Sequence, residues 1–161
     1  MDEIIYRPIG VIYSPYTSST GTPIQPEGGR GVEGRVELRE EFVPGLRDLE
    51  GFSHVVLIYH FHDNAAVRLV VEPFLDDEEH GVFATRAPTR PNHIGMSVVR
   101  LNCIDGNVLH IEDVDILDGT PLLDIKPHVP HFDCPLETRI GWLQGKVALY
   151  RDTRDDGHLE G

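Results

Sequence analysis

The chain has 161 residues, 40% of them hydrophobic, which is enough to close one core in a single domain without metal or disulfide staples. Its 14 basic and 27 acidic side chains give a formal charge of −13, excluding a protein that coats nucleic acid with its whole surface and leaving room only for a local basic patch. The acidic N-terminus and the lack of any apolar run of roughly 18 to 20 residues point to a cytoplasmic protein without a membrane span, and two cysteines, Cys103 and Cys134, are too few for a disulfide framework or a tetrahedral metal site.

Residues 4–16, IIYRPIGVIYSPY, gather β-branched and aromatic side chains before a turn-rich stretch and read as a strand. The Gly- and Pro-rich segment 17–31 cannot hold a regular helix; it is either a disordered crossing or a shaped binding loop. In residues 32–40, Val36 and Leu38 alternate with Arg35, Glu37 and Arg39, the period of a half-buried strand. Residues 40–50 hold a short helix or turn around Pro44, and HVVLIYHF (54–61) is a continuous apolar run of buried-strand length. Further strands are expected in 69–74, 80–85, 94–104, 107–116, 122–129 and 146–152. Short strands divided by Gly, Pro, Asn or Asp, with little 3.6-residue periodicity, predict a mainly β, single-domain antiparallel barrel or sandwich with few short helices. Residues 1–150 form that domain. The acidic runs DDEEH (76–80) and 151–161 read as a solvated loop and a frayed acidic C-terminal tail.

Two proline-punctuated segments stand out as a working site. ATRAPTRPNHIG (84–95) fixes an irregular backbone that carries Arg86, Arg90, Asn92 and His93. Its arginines offer planar donor forks for carboxylate, phosphate or a base edge, or else pair with some of the many acids. In residues 112–133, carboxylates at Asp113, Asp115, Asp118 and Asp124 suggest a calcium loop, but the glycine arrives one position late, and DGTP reads as a turn instead. If LLDIKP continues extended, Asp124 and Lys126 project from one face, as a routine ion pair or as an acid or base tuned by its neighbour. His54, His60 and His62 also share a face of a regular strand. Residues 54 and 60 would lie about 20 Å apart, so no metal site is expected there. Gln25, between two prolines, is a fourth candidate, able to read an adenine edge. No G-x-G-x-x-G marks a Rossmann cofactor domain.

In order along the chain, PIQ, GRVEL, LEGFSHVVLIYHFH, GVFATRAPTRPNHIGMSVV and DVDILDGTPLLDIKPHVPHFD closely resemble the TrmO family, also called YaeB or TsaA-like, over roughly residues 5–150. The resemblance implies a TsaA-like β-barrel and S-adenosylmethionine-dependent methylation of the exocyclic amino nitrogen of threonylcarbamoyl-adenosine beside the tRNA anticodon. It also implies a homodimer whose partner is the tRNA anticodon loop. Carried over residue by residue, cofactor contacts fall on Pro23, Ile24, Gln25, Phe61, His62, Arg86, Met96, Ile116, Leu117, Asp118 and Gly119. Asp124, Lys126 and His62 take the catalytic roles, and Arg90, Asn92 and Lys126 the substrate contacts. Many relatives have arginine where this chain has Ile24, and tyrosine where it has His128. A non-catalytic S-adenosylmethionine-binding protein and a methyltransferase for another RNA or small-molecule acceptor are the alternatives.

Overall fold

Alternating apolar side chains set the register of a six-stranded sheet that closes on itself. The computed structural model describes residues 2–159. In chain order the strands are β1 (Gly10–Tyr13), β2 (Glu33–Leu38), β3 (His54–His60), β4 (Val70–Val71), β5 (His80–Gly81), β6 (Ile94–Asp105), β7 (Val108–Glu112) and β8 (Thr120–Pro127). The barrel order is β1-β2-β7-β6-β3-β8, with β8 returning to β1, and every pairing is antiparallel. Every second residue points inward: Val36 and Leu38 from β2, Val55, Leu57 and Tyr59 from β3, Val99 and Leu101 from β6, Leu109 and Ile111 from β7. Burying each such aliphatic side chain stabilises the fold by about 1.5–3 kcal/mol relative to exposure.

Antiparallel pairing has a consequence for the site. The β1–β2 loop, the long excursion between β3 and β6, and the β7–β8 link all leave from the same end of the barrel. The opposite end carries the tight turn at Gly106 and the 3₁₀ segments Glu40–Leu46 and Leu49–Gly51, the short helical stretch expected around Pro44. The long connections therefore converge over one mouth, where functional side chains of a barrel collect.

Three stretches differ from the alternation read in the sequence. Residues 69–74 and 80–85 give only the two-residue strands β4 and β5, paired with each other outside the barrel, the second running into the 3₁₀ turn Val82–Ala84. Residues 147–151 form a 3₁₀ segment rather than a strand, because a closed barrel leaves no edge to pair with. Nor are residues 151–159 frayed. Pro23 bridges Arg154, the Asp155 amide donates to the Thr22 carbonyl at 2.9 Å, and Leu159 is buried against Val71, Val82 and Ala87. The acidic run at 76–80 is also engaged: Asp76 accepts from Lys146 at 2.8 Å and from His80 at 2.9 Å, and these two bonds hold its carboxyl well below the usual range.

Candidate functional site

Over the barrel mouth lies a cavity of about 320 Å³, at the lower end of the range for small-molecule sites. Tyr59, Gly95, Met96, Asp115, Ile116 and Thr120 line it from the barrel ends and the β7–β8 link. Pro23, Ile24 and Gln25 form one wall, a shaped loop that continues into the 3₁₀ turn Pro26–Gly29. Phe61, His62, Arg86 and Arg90 come from the β3–β6 excursion. Trp142, Tyr150 and Leu159 reach in from the C-terminal segment.

Each wall is held in place by a specific bond. Arg86 Nη1 donates to Gln25 Oε1 at 3.1 Å, joining the first wall to the second. Arg90 Nη1 donates to the carbonyls of Thr85 and Ala87 at 3.0 and 3.1 Å, so this guanidinium shapes its own loop. His93 sits at a φ of 46°, with its ring nitrogen 3.0 Å from the Pro88 carbonyl, and its carbonyl accepts from the Phe61 amide at 2.8 Å. Those bonds carry the chain back into β6. Trp142 stacks on His80 with ring centroids 4.5 Å apart, and its indole N–H donates to the Ala84 carbonyl at 2.8 Å.

At the barrel mouth the polar groups form a line. Ser97 Oγ donates to Asp115 Oδ1 at 2.6 Å, and Tyr59 Oη lies 2.9 Å from Ser97 Oγ, all three buried. When the carboxylate is charged, the one proton of Ser97 is committed to it, so Tyr59 must donate to Ser97. Burial pushes the Asp115 carboxyl up to about 7, with the Ser97 hydrogen bond and the Arg86 charge opposing the rise. Burial, helped by the Asp115 charge, likewise pushes the Tyr59 phenol far above its ordinary range. Tyr150 is raised by burial against the lowering pull of Arg86.

Of the residues singled out in the sequence, Pro23, Ile24, Gln25, Phe61, His62, Arg86, Arg90, Met96, Ile116 and Leu117 line this cavity together. Asp118 and Gly119 stand beside it as a turn tied to β1. Asp118 Oδ1 accepts from the Ser14 amide at 3.0 Å, and the Gly119 amide donates to the Ile12 carbonyl at 2.9 Å, with Gly119 at a φ of 77°. Asn92 is exposed on the loop before β6. Asp124 and Lys126 lie on the outer face of β8, 2.8 Å apart, and their hydrogen bond holds the Lys126 ammonium above its usual range. Register places Asp124 opposite Ile58, which pairs in turn with Met96. Asp124 is thus two strand spacings, roughly 9–10 Å, from a residue at the cavity edge.

The three histidines diverge: His54 faces Ser53 and His128, His60 faces His93, and His62 turns into the cavity. The sequence reading singled out neither Tyr59 nor Ser97 nor Asp115 for the cavity, and it missed the C-terminal side chains. The available signal for Asp115 was an acid flanked on both sides by apolar residues, Val114 and Ile116. Among the described residues, no helix is long and apolar enough to cross a membrane.

The family of the tRNA-methyltransferase O N-terminal domain matches residues 11–134. A probable S-adenosyl-L-methionine-binding protein of Pyrococcus abyssi is 57% identical over 156 residues, covering 97% of this chain and 85% of that protein. A tRNA (adenine(37)-N6)-methyltransferase of Mus musculus is 35% identical over 140 residues, covering 83% of this chain and 32% of the mouse protein. A crystal structure of TrmO from Pseudomonas aeruginosa superposes with a TM-score of 0.74 at 40% identity, over 87% of this chain and 62% of that one. The chain thus spans about a third of the mouse protein and under two thirds of the solved bacterial one.

Proposed function

The chain belongs to the tRNA-methyltransferase O family, and on that premise we propose that it methylates the exocyclic amino nitrogen of threonylcarbamoyl-adenosine next to the tRNA anticodon, using S-adenosylmethionine. The observation that carries this reading is the mouth cavity. Its volume suits a small cofactor, and its lining combines aromatic and aliphatic walls with a carboxylate, an arginine and an amide, groups matched to a ligand that is part nucleoside and part zwitterion. When bound, S-adenosylmethionine supplies an activated methyl group on a sulfonium.

The work left to the protein is positioning and proton removal. Phe61, Ile116 and Met96 offer apolar faces, while Gln25 and Arg86 present an amide and a guanidinium already fixed to each other. Orientation of this kind supplies much of the acceleration of a transfer between two bound groups. The acceptor nitrogen is conjugated with a purine ring and a carbamoyl group, so its lone pair is poorly available and its proton has to leave. We assign that proton to His62 or Asp124. His62 lines the cavity, and Asp124 lies on the outer barrel face two strand spacings from Met96, where Lys126 would bind the threonyl carboxylate. Arg90 and Asn92 would steer the RNA, whose target nucleotide must leave the anticodon stack. A homodimer belongs to the same proposal, supported by the exposed apolar side chain of Phe83, which lies outside the cavity.

The test is incubation with methyl-labelled S-adenosylmethionine and tRNA that does or does not carry the threonylcarbamoyl group. Label in the modified tRNA alone is expected. Equal label in both tRNAs would refute the substrate assignment, and binding of the cofactor without transfer to either would indicate a non-catalytic binding protein.

A further inference from the structure

We propose that Asp115, held by Ser97 and Tyr59 at the barrel mouth, is the counter-ion for a cationic group of the bound cofactor. The proposal rests on the reading that the cavity takes S-adenosylmethionine, and it goes beyond that reading by assigning the charge that recognises it. Asp115 is 9% exposed and lines the cavity, while Tyr59 and Ser97, which bond to it in line, are 5% and 1% exposed. A carboxylate in such a place is costly unless a cation pairs with it. Among the described residues none does so at ion-pair distance: the cavity arginine, Arg86, acts on Asp115 through its field, while one of its N–H groups goes to Gln25. The missing positive charge is one that a ligand can bring. S-adenosylmethionine has two cationic centres, the methionyl ammonium and the sulfonium, and only the sulfonium disappears when the methyl group leaves.

The hydroxyl line adds direction. With Tyr59 donating to Ser97 and Ser97 to Asp115, the free carboxylate lone pairs are those turned away from the line. The groups that face Asp115 are Tyr59 from β3, Ser97 from β6, Tyr16 from the loop after β1 and Arg86 from the β3–β6 excursion. His62, Asp63 and Asp155 line the same cavity. Burial keeps much of the Asp115 population protonated at neutral pH, so binding of a cation there expels a proton.

Titration calorimetry of S-adenosylmethionine and of its demethylated product, S-adenosylhomocysteine, tests the assignment with the full chain at pH 6 and pH 8. The wild-type protein is expected to bind S-adenosylmethionine several-fold to tenfold more tightly at pH 8, releasing up to one proton, as buffers of different ionisation enthalpy will read out. Asp115→Asn is expected to lower that affinity at pH 8 by about tenfold to a hundredfold and to abolish the pH dependence. A similar loss for the product identifies the ammonium as the partner, and a much smaller loss identifies the sulfonium. Ser97→Ala keeps the carboxyl but removes its donor, so the pH profile should move to higher pH, which serves as the check if Asp115→Asn does not fold. Unchanged affinity and an unchanged pH profile in these variants would overturn the proposal. Failure of the wild-type protein to bind S-adenosylmethionine at all would instead strike the cofactor reading beneath it.

Discussion

Gly95 stands opposite Tyr59 in the β3–β6 ladder, so close that a methyl group on Gly95 would overlap the phenol ring and come within 2.8 Å of Phe61. The ring is fixed at its far end by Ser97, and it packs edge-on against Phe61 with centroids 5.5 Å apart. Moving aside would cost the ring its hydrogen bond to Ser97. Gly95→Ala is therefore expected to cost about 1–3 kcal/mol of stability, the usual range for overpacking. Because the displaced ring anchors the Asp115 line, cofactor affinity should fall as well. Urea unfolding together with calorimetric titration checks both, and a variant with native stability and native affinity would show that Tyr59 has room to move.

The sequence made the barrel legible because its strands obey one rule. Val36 and Leu38, or Val55, Leu57 and Tyr59, alternate with polar or outward residues at period two, and the turns between them carry glycine or proline. Two kinds of information were harder to extract. Residues 147–151 have strand-like composition but became a 3₁₀ segment, since strand formation depends on a free edge elsewhere in the chain. Leu159 lies in an acidic run whose composition signals solvent, yet one apolar side chain and the backbone bonds at Thr22 and Asp155 suffice to dock it. Phe61 entered only through the family resemblance, whereas the loops around Gln25 and at 84–95 were readable from stiff backbone and placed polar groups. The Tyr59–Ser97–Asp115 line was not, because its members come from three separate segments that meet only when the barrel closes.

Asp115 should make the protein less stable as pH rises. Its ordinary value is 3.8 and its folded value about 7, so between those limits the native state binds a proton that the unfolded state does not. The unfolding free energy therefore falls as pH climbs from about 4 to about 7 and levels off above, where both states are charged. Asp115→Asn removes this contribution. The variant is expected to be more stable than the wild type at pH 8, on the order of a few kcal/mol, and to lose that advantage toward pH 4. Thermal unfolding of both proteins across this range decides it: parallel curves would mean that the native carboxyl titrates as it does in the unfolded chain.

Leu159→Ala should loosen the roof of the cavity more than the barrel. Leu159 is 2% exposed and packs in a cluster with Val71, Val82 and Ala87, separate from the barrel core. Removing such a side chain costs about 2–5 kcal/mol where the site cannot collapse. Here the loss falls on the contact between the C-terminal segment and the β3–β6 excursion, and with it loosens the contact of the 154–155 stretch with the 21–23 loop. Amide exchange at Gly21 and Asp155, which bond across that contact at 2.7 and 2.9 Å, should accelerate while amides of β3 and β6 keep their protection. Uniform acceleration would show that the two clusters unfold together.

Asp124→Asn separates the outer barrel face from the cavity. Asp124 does not line the cavity, and its carboxylate pairs with Lys126 in an exposed setting, so cofactor binding should change by less than about twofold. If the carboxylate accepts the proton of the acceptor nitrogen, methyl transfer should drop by about a hundredfold or more, the range for loss of a general base. The charge of Lys126 survives the substitution, so threonyl carboxylate binding, read from the KM for modified tRNA, should hold. Lys126→Ala should give the opposite pattern, with a raised KM and a smaller loss in kcat. If Asp124→Asn instead raises KM and leaves kcat intact, the carboxylate orients Lys126 and does not take the proton, and the base passes to His62, the other titratable side chain to which we assigned that role.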